Sequence, residues 1–331
     1  MGVDILVIGA AGRLGRAVTQ AFERMAPDFT LAASKHEALD ASDSAAVEAL
    51  CKQLHPKIVI NAAAYTDVAK AEALRRSPKG LHEVMAANAV VPGVLAKAAA
   101  AVDASLIHFS TDYVFSGGGL GHRSESDKAK PHGVYGRSKR IGELAVLRVS
   151  RSMPAFRHLI FRVGWLHGAP GDFVSKVLDA ALAGRLRCMR SNQWGRPTSY
   201  ESTAELAVYS ALGLLGCGQP QLANGVYHYA ESGPVISRFR LAVLILHKAA
   251  EQLSQVQAPE TADAVERLLS AARMLKGICV TDRARPSNCR LNCGKLASTG
   301  LINCFSWNYY VDKSVENFLQ SRFDGILLNE L

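Results

Sequence analysis

Near the start of the chain an apolar run, Ile5-Leu6-Val7-Ile8, leads straight into Gly9-Ala10-Ala11-Gly12-Arg13-Leu14-Gly15. No other stretch restricts the fold as much. A segment apolar on both faces belongs inside a sheet covered on both sides, so Val3–Ile8 reads as a first buried strand. Gly9 allows a tight turn out of it, Gly12 lets a backbone approach a pyrophosphate, and Gly15 permits close helix–strand packing. The helix that follows, from about Arg13 to Met25, presents its positive end to an anion. Gly9, Gly12, Arg13, Leu14 and Gly15 are therefore the candidate cofactor-binding residues of this turn.

Strand and helix signals alternate through the first half. Phe29–Ala33, Lys57–Ile60, Ser105–Phe109 and His158–Val163 read as further strands. Asp43–Leu54, Glu83–Val102 (interrupted at Pro92-Gly93) and Tyr135–Ser150 read as helices. Such alternation predicts a parallel sheet with helices on its faces. The second half is less regular, with helices at Phe173–Ala183, Thr203–Leu215, Phe239–Leu253, Ala262–Leu275 and near Val311–Leu319, and a short strand at Gly225–Tyr229. The expected fold class is α/β: a Rossmann-type doubly wound parallel sheet with a smaller C-terminal substrate-binding lobe. Residues 1–165 are expected to form the dinucleotide-binding domain with the catalytic Tyr and Lys. Residues 166–331 are expected to form a smaller, mostly helical lobe with segments returning to the sheet.

Composition excludes several classes. With 49% hydrophobic and 20% charged residues in 331, the chain has enough apolar surface to offset its conformational entropy. No uninterrupted apolar run reaches the roughly 18–20 residues of a membrane span. The N-terminus lacks a basic n-region, so a cytoplasmic protein without a membrane partner is expected. The 7 cysteines are scattered without a CxxC pair, which predicts neither a disulfide framework nor a metal site. The net charge of +9 is spread along the chain. It favours phosphate-bearing small ligands over nucleic acid.

The end of the second strand reads Ser34-Lys35-His36, with no acidic residue for a ribose diol. A hydroxyl beside a cation suits the extra phosphate of NADPH, with NADH as the alternative. Asp40, followed by Ala41, is placed to serve the adenine side. Tyr135 and Lys139 are four apart and share a helix face. The ammonium can lower the tyrosine pKa and hold the nicotinamide ribose, and the phenol can pass a proton to a carbonyl oxygen. Ser110-Thr111-Asp112-Tyr113-Val114-Phe115 follows the fourth strand and supplies a hydroxyl at a strand end, where such sheets bind ligands.

Taken together, these motifs resemble the dTDP-4-dehydrorhamnose reductase family of extended short-chain dehydrogenases/reductases. Asn61-Ala62-Ala63-Ala64-Tyr65-Thr66-Asp67-Val68 is similar to the family's segment beside the nicotinamide, which implies cofactor contacts at Ala62, Ala63, Ala64 and Tyr65. Tyr135-Gly136-Arg137-Ser138-Lys139, with Gly142-Glu143, is similar to its catalytic helix. Phe161-Arg162-Val163-Gly164-Trp165-Leu166, Gln193-Trp194-Gly195-Arg196-Pro197-Thr198 and Arg285-Pro286-Ser287-Asn288-Cys289-Arg290-Leu291 resemble three later segments. The likeness runs from about residue 3 to 300. It implies reduction of the C4 ketone of a nucleotide-linked 4-keto-6-deoxy sugar. Tyr135 is then the acid, Thr111 the hydrogen-bonding partner of the same oxygen, and Lys139 the residue that orients the ribose. Thr111, Asp112, Trp165, Arg196 and Arg285 are the implied substrate contacts.

The chain departs from the family in places. Ala69 stands where Asp is usual, Cys289 where Ser is usual, and Ile236–Asp282 is longer and more helical. Arg16-Ala17 replaces a Glu that some members use in a metal-bridged dimer, so neither that metal nor that dimer is expected. The implied partners are the nucleotide sugar and, in a homodimer, a second copy. The alternative within the same family is a non-catalytic NADP-binding subunit, like the regulatory β subunit of methionine adenosyltransferase, whose partner would be that enzyme's catalytic subunit. A reductase or epimerase for another nucleotide sugar is a third option.

Overall fold

The computed structural model describes residues 2–34, 39–256, 258–282, 284–302 and 305–327. The apolar runs become strands: β1 Ile5–Ile8, β2 Leu31–Ser34, β3 Ile58–Asn61, β4 Ser105–Thr111 and β5 His158–Val163. Every residue of β1, β3 and β5 is buried, as continuous apolar runs require of strands covered on both faces. With Gly225–Tyr229 they form a six-stranded sheet. From one edge its order is Gly225–Tyr229, β5, β4, β3, β1, β2, with every neighbouring pair parallel. The chain passes from β1 to β2 on one side, then crosses to β3 on the other. The strand ends diverge at that reversal, which is where open parallel sheets take ligands.

The covering helices are α1 Arg13–Met25, α2 Ser44–Leu54, α3 Val68–Ala73, α4 Pro78–Met85, α5 Val91–Ala100 and α6 Val134–Ser152. Asp43 caps α2, accepting from the Ala45 and Ala46 N–H groups. The Ala-rich stretch is not broken at Pro92-Gly93. A π-helical turn, Ala86–Val90, joins α4 to α5, and Pro92 falls in the first turn of α5, where its missing N–H costs little. The whole run Pro78–Ala100 is long and apolar enough to cross a membrane. Here its residues Val84, Leu95, Ala96 and Ala99 are core, not surface.

The chain divides into two compact units that no single cut separates. Met1–Gly164, Glu201–Tyr229 and Asp282–Asn303 form the first; Trp165–Tyr200, Ala230–Thr281 and Cys304–Leu331 form the second. The first holds the sheet, α1 to α6 and most of the helix Tyr200–Leu214. In the second, the long stretch 236–282 is mainly a pair of packed helices, Arg238–Ser254 and Pro259–Met274. Leu178, Leu241, Ile245, Leu246, Leu268, Val311 and Val315 are its buried core.

Candidate active site

The glycine turn has the backbone its sequence predicts. Gly9 has φ +80°, and a Cβ there would lie 2.6 Å from the Ala63 nitrogen. A Cβ on Gly15 would lie 2.2 Å from the Gly9 carbonyl oxygen. Neither position accepts a side chain without moving backbone. Gly12 is the extended N-cap of α1 and has no side chain with which to cap it, and the first turn holds no acidic residue. A helix start built this way fits a pyrophosphate. Arg13 is exposed on the first turn, whereas Leu14 is buried and faces the core, so only its backbone is available to a ligand.

The other cofactor candidates line the same edge of the sheet. The Ser34 carbonyl, ending β2, accepts the N–H groups of Gly9 and Ala10. Lys35 and His36 lie outside the described residues. Asp40 closes its own turn, accepting from the Ser42 N–H at 2.9 Å and hydroxyl at 2.7 Å; Ala41 is buried behind it. Ala62 donates to the Ile8 carbonyl, and Ala63 to the Asn61 side chain. Ala64 is exposed. Tyr65 packs, as Tyr135 does, against the cluster of Ala71, Val84 and Val134, and its phenolic oxygen is buried without a hydrogen-bond partner among the described residues. An orphaned hydroxyl beside the helix that bears Tyr135 fits a polar ligand group there.

Tyr135 and Lys139 lie on α6, which begins where Glu72 of α3 accepts the Val134 N–H at 3.0 Å. A Cβ on Gly136 would stand 2.2 Å from the Tyr113 carbonyl oxygen, so the glycine lets α6 sit directly on the turn after β4. That contact brings the Tyr113 and Tyr135 rings edge to face, 5.8 Å apart. Tyr135 stays partly exposed, while Lys139 is buried and its ammonium donates to the Phe109 carbonyl at 2.6 Å. Burial lowers the Lys139 pKa to about 8, against the opposing pull of the Glu143 charge. Turnover that needs this ammonium is expected to fall as pH rises through about 8, which a rate–pH profile checks.

Thr111 ends β4 and is buried, with its hydroxyl engaged on both sides. It donates to Asp112 Oδ1 at 2.8 Å and accepts from the Tyr113 N–H at 3.2 Å. Asp112 is buried against Gly164, where a Cβ would lie 2.5 Å from its carboxylate. Arg285 also belongs to the first unit. Its neighbours Ala284 and Pro286 lie where Cβ atoms on Gly133 and Gly117 would strike them, so it sits between the ends of the loop joining β4 to α6. In the second unit, Trp165 has φ +58°, uncommon for a large side chain. The Arg238 guanidinium stacks 3.8 Å from its ring centroid, and the Trp165 carbonyl accepts the Thr198 N–H. Arg196 donates to the Glu231 carbonyl in the same unit.

Several participants escaped the sequence reading. Asn88, wholly buried in the π-helical turn, accepts the Tyr65 N–H at 2.9 Å and donates to the Tyr65 carbonyl at 3.0 Å and to Ser138 at 3.1 Å. It thereby ties the segment after β3 to α6. An asparagine inside Ala86-Ala87-Asn88-Ala89 was the available signal, since Asn is a poor filler of an alanine-rich helix. Asn61 at the end of β3 and His108 in the middle of β4 lie 3.1 Å apart, and burial keeps His108 uncharged.

A family model described as the RmlD substrate binding domain matches residues 3–320. The dTDP-4-dehydrorhamnose reductase of Streptomyces griseus is 37% identical over 230 residues, which are 69% of this chain and 70% of that protein. The reductase of the same name from Mycolicibacterium smegmatis is 32% identical over 335 residues, 99% of this chain and 89% of its own. A solved dTDP-4-dehydrorhamnose reductase from Clostridium acetobutylicum covers 96% of this chain and 99% of its own, with a TM-score of 0.76 at 25% identity. One from Bacillus anthracis, in complex with NADP, has a TM-score of 0.73 at 24% identity and covers 97% of this chain and 100% of its own. The parallel sheet, glycine turn and Tyr–Lys helix define an oxidoreductase of the extended short-chain dehydrogenase/reductase class. Within that class, the chain belongs to the dTDP-4-dehydrorhamnose reductase family.

Proposed function

We propose that this chain reduces the C4 ketone of a nucleotide-linked 4-keto-6-deoxy sugar with NADPH, and that dTDP-4-dehydrorhamnose is its substrate. One observation carries the reading. The end of β4 with Thr111 and the helix with Tyr135 and Lys139 are joined by direct contacts at the edge of the sheet that also bears the glycine turn. NADPH, when bound, supplies a hydride. Tyr135 gives its phenolic proton to the C4 oxygen, so the ketone gains a hydride and a proton and becomes an alcohol. Lys139 favours the phenolate left behind by standing near it as a cation. Thr111 hydrogen-bonds the same oxygen, which requires its O–H to turn from Asp112 toward the substrate. Arg285, or Arg196, meets the diphosphate, and Trp165 is the candidate to pack against the sugar or base.

The test is consumption of NADPH by the purified chain with dTDP-4-dehydrorhamnose, and no turnover above background refutes the reading. Thr111→Val is expected to lower kcat by about 10²-fold, the usual cost of one hydrogen-bond donor to a developing oxyanion. Because Thr111 also caps the turn after β4, the variant should lose about 1 kcal/mol of stability, seen in a urea titration. Lys35→Ala is expected to erode the preference for NADPH over NADH by about 1–2 kcal/mol. Equal affinities of the unaltered chain for the two cofactors, by fluorescence titration, would remove the basis for that preference.

A further inference from the structure

We infer that Glu143 is a positioning residue for this reaction: its buried carboxylate locks the end of β4 to α6 and sets a fixed negative charge beside Lys139. The inference rests on the reductase reading above. Glu143 lies one turn beyond Lys139, on the same face of α6. Its side chain is 0% exposed, and both oxygens are doubly engaged. Oε1 accepts from the Ser110 hydroxyl at 2.6 Å and from Arg162 Nε at 2.8 Å. Oε2 accepts from Arg162 Nη2 at 2.9 Å and from Arg140 Nη1 at 2.6 Å.

Three successive residues of β4 therefore meet the site in turn. The Phe109 carbonyl holds the Lys139 ammonium, the Ser110 hydroxyl holds Glu143, and Thr111 is the proposed partner of the substrate oxygen. A shift of Glu143 would displace Thr111 through a single peptide unit. Arg162, on β5, anchors the far side, and its Nη1 lies 3.3 Å from His228 Nε2 on the edge strand. The backbone N–H of His228 donates to Glu125 Oε1 at 2.8 Å.

Packing alone does not call for a charge here, since apolar residues often replace a buried ion pair without loss of stability. A nearby cationic lysine does. Arg162, Ser110 and Arg140 hold the Glu143 carboxyl below the usual carboxylate range despite its burial. Among the described residues, Arg140 adjoins Lys139 on α6 and pairs with Glu143, and further groups meet Lys139 or its stretch of the helix. Glu143 and Tyr135 share its helix, Glu72 comes from α3, Asn88 from the π-helical turn, Arg162 from β5 through Glu143, and His108 from β4 is kept neutral by burial and by the ammonium. Glu143 is thus the anion that favours the protonated Lys139.

The experiment compares the full chain with Glu143→Gln, Glu143→Asp and Ser110→Ala, measuring thermal midpoint, NADPH affinity, and kcat and KM from neutral to alkaline pH. Glu143→Gln should move the alkaline limb of kcat down by about one pH unit, because loss of the anion lowers the Lys139 pKa. Glu143→Asp should leave the limb in place while lowering kcat. Ser110→Ala keeps the ion pair and should lower kcat about threefold to tenfold, with KM and NADPH affinity unchanged, as a small misplacement of Thr111 would. A Glu143→Gln limb that superimposes on the unaltered chain overturns the inference. If Glu143→Gln does not fold, Ser110→Ala decides, and an unchanged kcat there overturns it. An unaltered chain without turnover fells the reductase reading and this role together; a chain that turns over beside an indifferent Glu143→Gln fells this role alone.

Discussion

Tyr135→Phe is expected to lower turnover by about 10²–10⁴-fold while leaving NADPH affinity near that of the unaltered chain. The substitution keeps the ring and deletes one oxygen. The edge-to-face contact with Tyr113 and the apolar cluster with Ala71, Val84 and Val134 survive, so α6 keeps its seat. What disappears is the proton that Tyr135 is proposed to give the C4 oxygen. Steady-state kcat and a fluorescence titration of NADPH separate the two effects. Turnover within a few-fold of the unaltered chain would assign the acid to another group; a matching loss of NADPH affinity would make Tyr135 a binding residue instead.

The second large effect is acid lability. Burial holds His228 at about 4 and His167 at about 3, the latter helped by the nearby Arg238 charge. In the unfolded chain both titrate near 6.5. Between those limits the unfolded state binds protons that the native state refuses, so stability falls as pH drops. Each histidine contributes a loss of about 1.4 kcal/mol per pH unit, beginning near pH 6.5. For His228 the loss is complete near pH 4, and for His167 near pH 3. At pH 5 the two together remove about 4 kcal/mol, a large share of the ~5–15 kcal/mol of an ordinary domain. Urea unfolding at pH 7.5 and at pH 5, with activity unaffected by choice of buffer, checks the slope. Equal stability at the two values would show that these histidines are charged in the native state.

The fold class was legible because its signal is local. The apolar run Ile5–Ile8 reads as a buried strand because a glycine turn and an amphipathic helix follow it in that order, and the structure has the parallel sheet this implies. His158–Val163 and Gly225–Tyr229 occupy the residues their pattern predicts. The Ala-rich stretch was harder. A proline inside a helix pattern signals a break, yet Pro92 sits harmlessly in a first turn because a π-helical turn, invisible in composition, restarts the helix just ahead of it.

At the candidate site the same division holds, residue by residue. Gly9 and Gly15 could be singled out from spacing, since each marks a place where backbone must approach backbone, whereas the approach of Gly136 to the Tyr113 carbonyl is seen only in the structure. The sequence by itself likewise determined that Tyr135 and Lys139 share a helix face, which follows from the helical period, whereas the fourth strand, read as ending at Phe109, runs on to Thr111. Only the tertiary structure decided what these groups touch: Lys139 against the Phe109 carbonyl, Thr111 against Asp112, Asn88 bracing Tyr65, and Glu143 closed on Ser110 and Arg162. Those partners are from 1 to 33 positions apart along the chain in no repeating pattern. The physical reason is that a buried polar group must find its hydrogen bonds wherever the sheet order and helix packing bring a partner, and no local periodicity encodes that choice.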